Sequence, residues 1–438
     1  MQLAKSSVRK YQTMQNAVCT DGRCHGMFTR SALLGKLGGA EIAISDEMIA
    51  RIQMWQRMIE GKAPWVFLGK GQEVFSLGIE NAICREFLNI VLSEMETSLA
   101  NEIIDPHYQR AISLLPDNFQ QGLALGCMII KPLTDTGMFE FISAADIIPL
   151  EYASDGTLRD CALIQTKRIS ETESYYRIER HRLTSEGLLI VNKAYRGTSE
   201  NGGSMLGTEI PLTDIEEWTM LYPEVTYPGM DRMDFGFYRN PLPNYIDRSK
   251  QGVSIFESCM DLVKKCDIQF SRIYWEYESS ERMILADWAF FDGRQGHFHL
   301  PKGKERLFVG TEGDEQYQEF SPSVRDASYI AGLNEYLRRI EFNAGLSYGD
   351  LSKNEQIEKT AQEIMAAKNR KYNMVNSIQA NLKKCLEGLA YAIAFYYAQY
   401  TVDPGFECVF HDSIKTDEEA ERAQDRLDMA SGIMSPVE

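Results

Sequence analysis

Between residues 252 and 400 the hydrophobic and polar positions fall into three helical stripes, separated by a β-rich excursion and a polar loop. In the first, Phe256, Cys259, Met260, Val263, Cys266, Phe270, Ile273 and Tyr274 recur every three or four positions up to about Glu278, with Asp261, Lys264, Lys265 and Arg272 between them. That spacing predicts an amphipathic helix. Ser254-Ile255-Phe256-Glu257 at its start reads as a capping box, the serine taking a free amide and the glutamate reaching back. In the second stripe Ile330, Leu333, Leu337, Ile340 and Ala344 follow a candidate cap at Asp326 and stop at Gly345. A wet loop comes next, Ser347-Tyr348-Gly349-Asp350-Leu351-Ser352-Lys353-Asn354-Glu355, and its scarcity of apolar side chains predicts mobility. From about Gln356 to Tyr400 only Gly388 interrupts a third stripe of Ala361, Ile364, Tyr372, Val375, Leu382, Leu386, Leu389 and Ile393. At ~1.5 Å per residue that helix would span roughly 65 Å.

Upstream, Met48, Ile49, Ile52, Trp55 and Ile59 line one face of a helix that stops at Gly61, and further helices are expected at about 73–92, 106–114 and 117–124. Residues 125–215 change period. Candidate strands at about 125–131, 138–142, 160–168, 174–182 and 188–195 are separated by turn chemistry at Thr134-Asp135-Thr136-Gly137, Ser154-Asp155-Gly156 and Ser185-Glu186-Gly187, giving an antiparallel meander. Pro223, Pro228, Pro241 and Pro243 predict a linker over 221–247. The excursion 282–325 carries Trp288, Phe290, Phe291, Phe298 and Phe308, broken by Asp292-Gly293, Pro301-Lys302-Gly303 and Glu312-Gly313, as a small β-hairpin unit would be. Residues 1–44 are polar and glycine-punctuated, the pattern of an irregular arm that orders on assembly.

A chain of 438 residues, 44% hydrophobic and 25% charged, has room for two or three structural units of ordinary composition. Its amino-terminal stretch lacks the apolar segment of a signal peptide, and no window approaches the ~18–20 apolar residues that span a bilayer, so no membrane partner and a cytoplasm-like site of synthesis are expected. Nine scattered cysteines read as buried small hydrophobes and not as a disulfide framework. A net charge of −17 is wrong for gripping phosphates. Read from charge alone, that acidity serves solubility.

No catalytic constellation stands out, and no enzyme, cofactor or metal is expected. Neither Leu34-Gly35-Lys36-Leu37 nor Gly69-Lys70-Gly71-Gln72 completes a phosphate-binding loop. Ser254 lacks the glycines of a nucleophile elbow, and carboxylates such as Asp146 and Glu151 are commonplace in an acidic chain. His297 and His299 with Asp292 have the alternation of strand ligands, but a packed or solvated histidine pair is the simpler reading. Cys19, Cys24 and His25 lack a second ligand pair at zinc-site spacing. By pattern alone Lys264, Lys265, Lys353 and Asn354 are solvated positions.

Several runs resemble tailed-bacteriophage portal proteins, nearest to those of long-tailed phages of Gram-positive hosts. Pro243-Asn244-Tyr245-Ile246-Asp247, Gly252-Val253-Ser254-Ile255-Phe256, Asp267 and Trp275-Glu276-Tyr277-Glu278 look like the approach to that family's stem. Phe320-Ser321-Pro322-Ser323-Val324-Arg325, Leu337-Arg338-Arg339-Ile340-Glu341 and Thr360-Ala361-Gln362-Glu363-Ile364 are similar to later portal segments in the same order. Upstream, Trp55-Gln56-Arg57-Met58-Ile59-Glu60-Gly61-Lys62-Ala63-Pro64-Trp65 and Tyr175-Tyr176-Arg177-Ile178-Glu179-Arg180-His181 do likewise, so the resemblance runs over roughly 45–400.

The resemblance implies an α+β portal fold. Its parts would be an arm (1–44), a mixed α/β wing (45–247), an antiparallel stem (helices at 248–281 and 326–345) around a small β-rich clip (282–325), a channel loop (346–355), a long wing helix (356–402) and a helical crown (403–438). It implies a non-catalytic ring of about twelve subunits at one capsid vertex of the virion, through which double-stranded DNA is packaged, retained and ejected. Its other partners would be the terminase motor, the head–tail connector and the major capsid or scaffold protein. Lys353, Asn354, Lys264 and Lys265 would then lie near DNA, Trp288, Phe290, Phe291 and Arg294 would dock partners at the clip, and Leu333, Leu337 and Ile340 would serve assembly. The rival expectation is an enzyme of nucleic-acid or cell-wall metabolism with a helical dimerisation arm, a compact monomer or dimer with a deep pocket.

Overall fold

The computed structural model describes residues 36–37, 39–67, 73–93, 95–133, 138–169, 173–200, 203–280, 283–287, 308–311, 317–320, 323–353, 361–398 and 403–411. They form a mixed α/β molecule. Helix α1 (Asp46–Ile59) is capped by Ser45, whose hydroxyl accepts from the Met48 amide, and buries the Met48, Ile49, Ile52 and Trp55 stripe. Helix α2 (Ile79–Ser93) starts six residues later than its periodicity suggests, because Phe67 and Val74 pair as a β-bridge and the amides after Val74 are engaged elsewhere. Helix α3 (Asp105–Leu125) runs straight through Pro116, where two shorter helices were expected. Buried Tyr108, Ala111 and Leu115 before the proline and Phe119 and Leu123 after it lie on one face, so packing outweighs the roughly 3 kcal/mol an internal proline costs.

Strands β2 (Cys127–Leu133), β3 (Met138–Ser143) and β10 (Gly236–Arg239) make an antiparallel sheet in the order β10-β2-β3. Strands β4 (Ile147–Tyr152), β5 (Leu158–Arg168), β6 (Glu173–Thr184), β7 (Gly187–Glu200) and β8 (Gly203–Ile210) form the expected meander, and β9 (Glu224–Pro228) also pairs with β7. The proline-rich stretch 221–247 is therefore not a plain linker. Its prolines bound two short strands, with Pro228 at the end of one. A further antiparallel pair, β1 (Met95–Leu99) with β14 (Phe406–Phe410), joins positions some 310 apart in sequence. The start of the segment expected to form a helical crown is thus a strand in the body, and 412–438 lie outside the described residues. The end of the expected arm also belongs to the core, with Leu37, Ile42 and Ile44 buried and the Leu37 carbonyl accepting from Arg180.

Helices α4 (Met260–Ser279) and α5 (Asp326–Ala344) form the expected pair. They run antiparallel, because Ser258 and Cys259 at the start of one meet the Asn343 and Ile340 carbonyls at the end of the other, while Glu276 at its far end meets Arg325. Gly345 stops α5 with φ +83°. Between the two helices β11 (Met283–Asp287) is central, parallel to β12 (Phe308–Thr311) and antiparallel to β13 (Tyr317–Phe320), so the excursion is a three-stranded sheet and not a simple hairpin. Trp288, Phe290, Phe291, Arg294, His297 and His299 lie outside the described residues, as do Cys19, Cys24 and His25. Helix α6 (Ala361–Ala398), about 57 Å at 1.5 Å per residue, buries Val375, Leu382, Leu386, Leu389 and Ile393 against β10 and β2.

Candidate functional site

The chain enters α4 through a close backbone crossing. A Cβ on Gly252 would lie 2.0 Å from the Gly126 carbonyl oxygen, and one on Gly126, at φ +92°, would lie 2.3 Å from that of Gly252. Beside the crossing, the buried Asn240 amide donates to the Leu123 and Val253 carbonyls at 2.7 and 2.8 Å. Gln251 bonds Tyr152 and the Cys127 thiol. The capping box does not form. Ser254 Oγ accepts from Phe256 N, a short 3-10 turn (Glu257–Cys259) precedes the helix, and the Glu257 side chain turns away to accept from the Trp55 indole at 2.6 Å.

A second indole, on Trp65, donates to Asp267 at 2.8 Å. The other Asp267 oxygen takes the Leu77 amide at 2.9 Å, and Ser271 takes the Phe75 amide at 3.0 Å. Two tryptophans of the body thus hold two carboxylates of α4. Burial pushes both carboxyls upward, and the indole bonds pull against that rise. Lys264 lies 5.7 Å from the centre of the Trp65 ring, so this lysine expected near DNA packs on the body, whereas Lys265 is exposed.

Along α4 the stripe is covered only as far as the body reaches. Val263, Cys266 and Asp267 are buried, but Phe270, Tyr274, Trp275 and Tyr277 are 40–56% exposed, so Phe270 and Tyr274 are not the core residues their periodicity implied. On α5, Ile340 is wholly buried, and Leu333 and Leu337 pack partly buried against the chain's own core, so Ile340 has no free surface to offer an assembly contact. At the far end Arg325 grips Glu276 with Nε and Nη2, both at 3.0 Å, and holds that carboxyl below its ordinary range.

The loop after α5 is ordered through Lys353, contrary to its composition. Glu341 is fully buried and accepts from the amides of Gly349 (3.0 Å), Leu351 (2.7 Å) and Ser352 (2.7 Å) and from the Ser352 hydroxyl (2.9 Å). Asp350 caps the Ser347 amide and pairs with Lys371 of α6 at 3.0 Å, and Lys371 also holds Glu86 of α2 at 2.6 Å. Arg370 lies against the Phe342 and Tyr348 rings, at 4.3 and 5.6 Å. Lys353 is fixed by its main chain, whose amide donates to Asn334, while its side chain is exposed. Asn354 lies outside the described residues.

Sequence reading missed Trp55, Trp65, Glu257, Asp267, Glu341 and Lys371 as structural anchors. The signal was a carboxylate set within or beside an apolar stripe, Asp267 next to Cys266 and Glu341 next to Ile340. Among the described residues no three His, Cys, Asp or Glu side chains are grouped to hold a metal. No described helix is long and apolar enough to cross a membrane. An open cleft of about 520 Å³ at Arg232, Glu387, Tyr391 and Asp403 has its polar groups turned on one another, Arg232 to Glu387 and Tyr391 to Asp231, not converging on the space. No family model matches the chain, and no curated protein matches it significantly.

Proposed function

We propose that this protein is a phage or prophage portal, a ring at one capsid vertex that conducts DNA and docks the packaging motor and the head–tail connector. One observation carries the reading. An antiparallel helix pair is fixed at its root by two tryptophan–carboxylate bonds and at its far end by Arg325 and Glu276, yet presents Phe270, Tyr274, Trp275 and Tyr277 to solvent. A rigid element with four large aromatic side chains exposed on one helix suits lateral contact with a copy of itself, and contacts of that heterologous kind close into rings. The resemblance of the same segments to portal stems supports this, as does the net charge of −17, which favours passage over grip. In this reading Lys353 meets phosphates, Trp288, Phe290, Phe291 and Arg294 meet partners, and the assembly surface moves from Ile340 to the aromatic residues of α4.

Light scattering with negative-stain imaging of the purified chain tests it. Rings of about twelve copies with an axial hole are expected. A compact monomer or dimer at all concentrations and salt conditions would sink the reading and leave the rival enzyme.

A further inference from the structure

Glu80 occupies the first turn of α2, directly after the segment whose Phe75 and Leu77 amides donate to α4. It is 2% exposed, and its Oε2 is buried with no hydrogen-bond partner. The charge that acts on it is Asp267, itself 1% exposed, the carboxylate that holds Trp65 and Leu77. Two carboxyl groups therefore share one dry joint, and only Asp267 has donors enough to carry a charge there.

We propose that the joint between the body and the first helix of the pair is a proton-controlled clasp, closed when Glu80 is a neutral acid and loosened when it ionises beside Asp267. The inference stands whether or not the chain is a portal. Among the described residues, the groups around the joint include no cation paired with Glu80. From α4 comes Asp267, with the Cys266 thiol next to it in the chain, and from Glu80's own helix the Cys84 thiol. From α1 and α3 the Ile59 carbonyl and Gln120 meet α2 through neutral bonds, both on Asn81. From α6 comes Lys371, already shared by Glu86 and Asp350, while Lys264 sits on the far partner of the clasp, the Trp65 ring. Burial, against the pull of Glu80's own amide and with the help of Asp267's charge, pushes the Glu80 carboxyl up from 4.5 to about 7. A carboxyl raised on closing contributes its stabilisation in full below its ordinary value. That contribution is lost as pH rises through about 7.

Hydrogen exchange of the full chain, corrected for intrinsic rates, tests this at the Leu77 amide, which donates to Asp267. The opening constant there should rise roughly seventy-fold between pH 5 and pH 8 in the natural protein. In Glu80→Gln, which keeps size and neutrality, it should stay nearly flat. Should that variant not fold, Glu80→Met removes the ionisation equally, and Trp65 fluorescence across the same pH range reports the clasp in the natural protein. A pH-independent Leu77 amide in the natural protein, or a variant with the natural pH slope, overturns the proposal.

Discussion

Two regions of this molecule bury charge, and they do so by opposite means. Between the six-stranded sheet and the β10-β2-β3 sheet, Arg177, Glu179 and His181 lie on alternate positions of β6, on the same face, against Lys131 of β2, Asp234 and Tyr396. Glu179 is 2.5 Å from Lys131 and 3.1 Å from Arg177, and His181 lies 2.7 Å from Asp234 and 3.3 Å from Glu179. At the joint of the helix pair, by contrast, Glu257 and Asp267 are held by indole and amide donors, with Arg51 at 3.5 Å from Glu257, and Glu80 Oε2 is buried without a partner. Opposite charges in the first case offset each other's desolvation. Neutral dipoles in the second hold Glu257 and Asp267, each through an indole, and leave Glu80 Oε2 with none. The sheets are built to stay closed and the joint to respond.

Breaking the compensated network should have the largest effect. Glu179→Leu leaves Lys131 and Arg177 buried without their shared carboxylate, which costs about 3–5 kcal/mol in comparable sites. Thermal or urea denaturation reads it directly. A loss under 1 kcal/mol would mean that water reaches these cations and that the network is not closed.

The pH windows of the two regions sharpen the contrast. Burial alone would lower His181, but Asp234 and Glu179 outweigh it and raise the imidazole from 6.5 to about 9, while Glu179, against its own burial, is held well below its ordinary range by Lys131 and Arg177. A histidine raised on folding contributes stability in full below 6.5, and that contribution is lost as pH rises through about 9. The melting temperature should therefore fall between pH 7 and pH 10, and His181→Gln should be less stable at pH 7 with that fall removed. The Glu80 window closes earlier, by about pH 7. A single coincident transition for the Leu77 amide and for global unfolding would erase the distinction between the regions.

A middling effect is expected at the loop. Glu341→Gln keeps the shape but weakens three amide bonds and one hydroxyl bond, a loss of about 1–3 kcal/mol. It should appear mainly as faster exchange at Gly349, Leu351 and Ser352. Unchanged protection there would show that Asp350 and Lys371 hold the loop without Glu341.

The regular elements of both regions were readable, because their stripes and turns are local. α1, the body half of α4, α6 and strands β5 to β7 follow period and punctuation. What was not readable depended on partners distant in sequence. Arg177, Glu179 and His181 are ordinary surface letters until Lys131 and Asp234 cover them, and Phe270 and Tyr274 look like core until the body ends beneath them. The loop misled for the same reason. Its polar composition signals mobility only if its amides face water, and here a single glutamate eight to eleven residues upstream collects them.

The smallest effect on folding should come from Lys353, and there the loop's order separates shape from charge. Its amide is fixed by Asn334 at 2.7 Å, while its side chain is exposed, so Lys353→Glu should change stability by no more than about 0.5 kcal/mol. In the proposed ring the same substitution acts once per subunit on the one basic side chain of the 346–353 segment, reversing a charge whose field reaches roughly 8 Å at physiological salt. Assembled particles should then hold less DNA, with the deficit shrinking as salt rises. Variant particles with a full genome and normal yield at every salt concentration would show that Lys353 does not engage DNA.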